Sequence, residues 1–166
     1  MLFLVGLVFL STSVVSATFN VSNTPQLRQA LLDAALNGQH DTIILAAGVY
    51  KTTSDGLGRF RFSDAEDFSL MVTGATSNSG DVILDGDGID PVLSLKNSQD
   101  QDLYSAEVKN LTIRNGVDTS DSCGGLDVGF DEVYLTNISV LNNEEGICTP
   151  LPYVTYGSYN ELCNKW

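Results

Sequence analysis

Residues 23–38, NTPQLRQALLDAALNG, place Leu27, Ala30, Leu31, Ala34 and Ala35 on one face at helical spacing. Asn23 or Thr24 can cap this helix by accepting a hydrogen bond from a free backbone N–H, and Pro25 suits a first turn, where its missing N–H is not needed. Gly38 fits the left-handed position that ends a helix. No other stretch has this period. From residue 41 onward the apolar runs shorten and alternate. Thr42–Leu45 is a short run of the kind buried on both sides, and Ala46-Ala47-Gly48 turns the chain before Val49-Tyr50. In Arg59–Phe62 the two phenylalanines alternate with arginines, the period of a half-buried strand with its aromatic side in a core. Further short strands are expected at Phe68–Val72, Val82–Leu84, Val92–Leu95, Glu107–Arg114, Leu126–Val128 and Glu132–Val140. The pattern predicts one helix followed only by strands.

The last two long strands repeat each other. VKNLTIRN, residues 108–115, aligns with LTNISVLN, residues 135–142, at an offset of 27. Apolar positions match apolar ones, Asn110 matches Asn137, and Asn115 matches Asn142. A period in the twenties marks repeats that bury their apolar faces against one another. Asparagine tolerates left-handed backbone angles and its amide can bond the backbone, so Asn110, Asn137, Asn115 and Asn142 are expected at corners, stacked as ladders. A further shift of 27 sets Leu84 under Leu111.

The segments LRQAL, DTIILAAGVY, VILDGDGIDPVLSL, VKNLTIRNG, GGLDV and LTNISVLNN, in that order, resemble the opening of right-handed parallel β-helix proteins of the pectin-lyase-like fold. More narrowly they are similar to exported bacterial β-helix proteins of the polymorphic outer-membrane-protein type. The likeness spans residues 19–146. It implies an all-β, right-handed parallel β-helix of a few coils, with an N-terminal helix covering the first.

The aspartates in ILDGDGIDP, residues 83–91, raise a second question. An EF-hand loop needs oxygen ligands at positions 1, 3 and 5, glycine at 6 and glutamate at 12. Counted from Asp85, those last three positions hold Ile89, Asp90 and Lys96, so the pattern fails. A corner between strands is the expected role, and a weak calcium site from Asp85, Asp87 and Asp90 is the alternative. Calcium is the one cofactor the sequence leaves open.

Residues 1–17 form an apolar segment ending in Val15-Ser16-Ala17, which reads as a secretory signal cleaved after Ala17. It is shorter than a membrane span needs, so no stable membrane insertion of the mature chain is expected. Three divisions follow: a signal at 1–17, a helix with strands at 18–146, and an irregular tail at 147–166 that has no matching corner. The net charge of −13 with only eight basic residues repels phosphate backbones and excludes a nucleic-acid partner. Export permits a disulfide. Cys123–Cys148 is the preferred pair with Cys163 left over, although spacing alone does not fix the pairing. Sequons occur at Asn20, Asn110 and Asn137, the last two on the repeat.

Phosphate-cradling loops, nucleophile elbows and metalloprotease helices are missing from the sequence. The expected function is therefore a secreted or cell-surface, non-catalytic module for adhesion, display or polysaccharide contact, forming the N-terminal part of a longer protein. The alternative is a lyase acting on a uronate polymer, with Arg114 as the base. Lys109 and Lys96 are further candidates for that role, and Asp85, Asp87 and Asp127 would hold a cation. A truncated fragment without independent function is the third expectation.

Overall fold

The computed structural model describes residues 15–64, 68–97, 104–119, 123–130, 132–149, 154–156 and 161–165. The first fourteen residues, which carry most of the expected signal, lie outside this set. The chain opens with β1 (Ser16–Val21) and the single α-helix among the described residues, α1 (Thr24–Ala34). Strands then follow: β2 (His40–Leu45), β3 (Gly48–Lys51), β4 (Phe60–Asp64), β5 (Leu70–Gly74), β6 (Val82–Asp85), β7 (Leu93–Asn97), β8 (Ser105–Arg114), β9 (Leu126–Gly129), β10 (Glu132–Glu144), β11 (Ile147–Cys148), β12 (Val154–Tyr156) and β13 (Glu161–Lys165).

Every strand pairing among the described residues is parallel, so each strand pairs with one reached by a long connection rather than by a hairpin. One sheet runs β1-β2-β5-β8-β10-β12, with β3, β6 and β13 joined alongside; the other runs β11-β9-β7-β4. The described residues are thus mostly β, with parallel sheets and one short α-helix. The registers line up inward residues in columns. Ile43, Val72, Val108 and Leu135 form one column. Leu84, Ile113 and Val140 form a second, and Phe62, Leu95 and Val128 a third. All these side chains are buried, each contributing about 1.5–3 kcal/mol of apolar burial.

Helix α1 covers one end of this core with Leu27, Ala30, Leu31 and Ala34. Asn23 caps it, its Oδ1 accepting from the Gln26 N–H at 3.0 Å. The helix stops at Ala34, and Gly38 takes its left-handed φ of 66° in the turn beyond. Arg28 fixes the helix to the next layer. Its guanidinium donates to the Asp55 carboxylate and to the Arg59, Thr52 and Gly58 carbonyls, and lies 4.8 Å over the Phe60 ring.

Four details differ from the sequence pattern. Strand β1 includes Ser16 and Ala17, paired with His40 and Asp41, so the expected cleavage point falls inside a strand. Strand β5 begins at Leu70 because Phe68 instead joins a ring cluster with His40 and Tyr104. Leu84 lies beside Ile113, not Leu111; burial of both inward chains sets this register, and the connecting segment absorbs the extra residues. Finally, the tail expected to be irregular carries β11, which pairs with β9, and β12 and β13, which pair with β10. No corner motif announces these strands. The unpaired N–H and C=O groups along the β10 edge supply the template.

Candidate functional site

Strand β6 ends in Asp85, and the chain then turns through Gly86, Asp87 and Gly88. A side chain at Gly86 would collide with the Asp90 and Asn115 carbonyl oxygens, so only glycine lets these backbones approach. Asp87 holds a left-handed φ of 58°. Asp85 is almost fully buried, yet its oxygens are saturated. Oδ1 accepts from the Asp87 N–H at 2.9 Å and from Asn115 Nδ2 at 3.0 Å, and Oδ2 accepts from Arg114 Nε at 2.7 Å. Burial pushes the Asp85 pKa up, but the Asp87 N–H, Arg114 and Asn115 together outweigh it and hold the pKa below the ordinary value.

Asp87 turns the other way, towards β3 and the 3-10 turn after it. Lys51 Nζ donates to it at 2.7 Å and the Thr53 hydroxyl at 3.0 Å, which lowers its pKa. Asp90 Oδ1 lies toward Gly58. The three carboxylates therefore face three different neighbours and do not form a common cage. Among the described residues, the grouping of metal-ligating atoms within 4.8 Å of one another is Cys123, Glu145 and Cys148. Those two sulfurs form a disulfide, with Cα atoms 5.7 Å apart. The bond ties the segment before β9 to β11.

The basic candidates for lyase chemistry are all in ion pairs. Arg114 is bound to Asp85, Lys96 to Asp127 and Lys109 to Glu107. Arg114 stands outward at the end of β8, its charge committed to a buried partner.

The four repeat asparagines all adopt left-handed angles, with φ of 56° at Asn110, 54° at Asn115, 51° at Asn137 and 53° at Asn142. Asn137 Nδ2 donates to Asn110 Oδ1 at 2.9 Å, one rung of a ladder across β8 and β10. Asn115 serves Asp85, and Asn142 is exposed. The residue that closes the second corner is one the repeat comparison passed over. Asn143, 1% exposed, accepts from the Gly116 N–H at 2.8 Å and donates to the Ile113 carbonyl at 3.1 Å. The doublet Asn142-Asn143 was the available signal: one asparagine for the left-handed turn, its neighbour for the inward clamp.

Three depressions stand out among the described residues, and one of about 380 Å³ sits between β1 and α1, beside Phe19, Gln26 and Asp33. The other two involve candidate residues. One, of about 440 Å³, lies at this corner between Asp87, Asn115, Val117, Asn142 and Glu144. The other, about 240 Å³, crosses β2, β5 and β8 around His40, Thr42, Ser69, Met71 and Glu107. Asp41 borders the second. Burial raises its pKa and the nearby Asp64 adds to this, while the Asn37 amide and His40 oppose it.

No family profile, curated protein or solved structure matches the chain. Among the described residues, no helix is long and apolar enough to cross a membrane.

Proposed function

We propose that this chain is a right-handed parallel β-helix module, secreted or displayed at a cell surface. It acts without catalysis, in adhesion, display or polysaccharide contact. The observation that carries this reading is the column of registered parallel strands with left-handed asparagines at matching positions of β8 and β10. Such stacking gives a rigid, elongated surface, and repeat architectures use surfaces of that kind for binding. The uronate-lyase alternative has less support, because each basic candidate is neutralised by its own carboxylate. Fold alone does not fix function, so the test is direct. The purified chain is passed over immobilised cell-wall polysaccharides, and the same preparation is assayed for unsaturated uronate release from pectate and alginate with calcium. Retention without release is expected. Turnover that disappears in Arg114→Ala would establish the lyase instead.

A further inference from the structure

We infer that the cleft around His40 is a binding subsite for a neutral sugar residue. This rests on the polysaccharide-contact reading above and adds where contact occurs and which class of sugar it selects.

The first ground is the fixed orientation of the imidazole. His40 Nδ1 accepts the Ser69 N–H at 3.0 Å. In the neutral ring the proton therefore sits on Nε2, which is left as a donor. The ring cannot swing freely, because Phe68 meets it edge-on at 5.4 Å and Tyr104 lies at 5.8 Å. A donor held in place this way costs little ordering on binding.

The second ground is the set of polar groups that share the cleft. Ser69 Oγ accepts the Ser105 N–H at 3.1 Å, which leaves its own hydroxyl proton to donate. Thr42 adds a hydroxyl and Glu107 adds carboxylate oxygens that accept. Met71 adds apolar surface. Donors and acceptors in the same cleft as an apolar side chain suit a pyranose, which has hydroxyls at its rim and C–H groups on its face. At about 240 Å³ the cleft is smaller than the roughly 300–1,000 Å³ of sites for drug-sized ligands, which suits one ring of a longer chain.

The third ground is charge. Glu107 lies in the cleft, and the nearby Lys109 ammonium is held by it at 3.1 Å. Among the described residues lining the cleft there is no lysine or arginine to meet a carboxylate, Asp41 adds a second acidic group, and the whole chain carries −13. Uronates and sulfated sugars are repelled, whereas neutral sugars are not.

His40 is the only histidine in the chain, so its ring gives a single pair of NMR resonances. Neutral xylo- or cello-hexaose is titrated against the full chain, and a galacturonate hexamer in parallel. The neutral sugar is expected to shift the His40 resonances saturably and the uronate is not. Glu107→Gln is expected to weaken neutral-sugar binding about tenfold, while Asn142→Ala, at the corner depression, leaves it unchanged. His40→Ala is read only alongside its circular dichroism melt; the resonance shifts of the unaltered protein stand independently of how that variant folds. Neutral-sugar binding that leaves His40 unmoved, or a preference for the uronate, overturns the subsite but keeps polysaccharide contact. If neither sugar binds, and immobilised polysaccharides do not retain the chain, both fall.

Discussion

Replacing Asn143 by alanine removes the clamp at the second corner. The side chain is 1% exposed and holds two backbone groups, the Gly116 N–H and the Ile113 carbonyl. A buried donor left without a partner costs about 1–3 kcal/mol, and a carbonyl that loses one of its bonds about 1 kcal/mol. Water has little room to substitute: a single added carbon at Gly116 would already overlap the Gly124 carbonyl. The sum is about 2–4 kcal/mol. In a domain of this size each kcal/mol lowers the melting point by about 2–4 °C, so a fall of about 10 °C is expected by circular dichroism or calorimetry. Asn143→Asp refines the test. It keeps the acceptor for Gly116 but sets a carboxylate oxygen against the Ile113 carbonyl. Burial without a cation raises the folded pKa of such an acid. Its penalty is thus smallest below the unfolded value of about 3.9 and grows as pH rises through the folded pKa. At neutral pH the aspartate variant should melt below the alanine variant, and the gap should close under acid. An alanine variant that melts within 2 °C of the parent, or an aspartate variant with no pH-dependent deficit, would refute the clamp.

Arg28→Lys should cost about 2–4 kcal/mol in urea unfolding, because one ammonium cannot replace a planar fork bonded to one carboxylate and three carbonyls; an unchanged midpoint would count against the staple. The Asp85 pKa is depressed in the fold, so its contribution is full above the unfolded value of 3.8 and is lost as pH falls through the lower folded value. Asp85→Asn should therefore be less stable than the parent at neutral pH and converge on it in acid, which a melting series across pH would reveal. Reduction of Cys123–Cys148, separated by 25 positions, should cost about 3 kcal/mol, readable as a lower urea midpoint with a reductant than without.

Helix α1 was legible because its signals are local: a capping asparagine, a proline and five apolar positions at helical spacing. The strands were legible where apolar positions alternate, as at Phe60 and Phe62, and the left-handed asparagines stood out once VKNLTIRN was set against LTNISVLN. The clamp at Asn143 was not, because its inward turn depends on a neighbour already having spent its left-handed angle. Nor were the partners of Asp85 legible, since Arg114 and Asn115 lie 29 and 30 positions away. The three aspartates looked like one cluster in sequence; alternating strand faces and a turn send them apart. Strands β12 and β13 follow from an edge presented by β10, and an edge leaves no trace in the segment that will fill it.

Among the described residues every strand pairs with one at least 21 positions away, the span from Leu126 to Ile147 being among the shortest. No hairpin among these strands offers a quick first contact. Loop closure must come before any sheet hydrogen bond forms, which places the chain among slow folders, with long-lived unpaired edges. Helix α1, the one α-helix among the described residues, forms from local contacts and is the natural seed, and later strands can add only onto an edge that already exists. Growth then runs outward from the Asn23 end, and damage near that end should stall the whole assembly, while damage near Tyr156 should only shorten it.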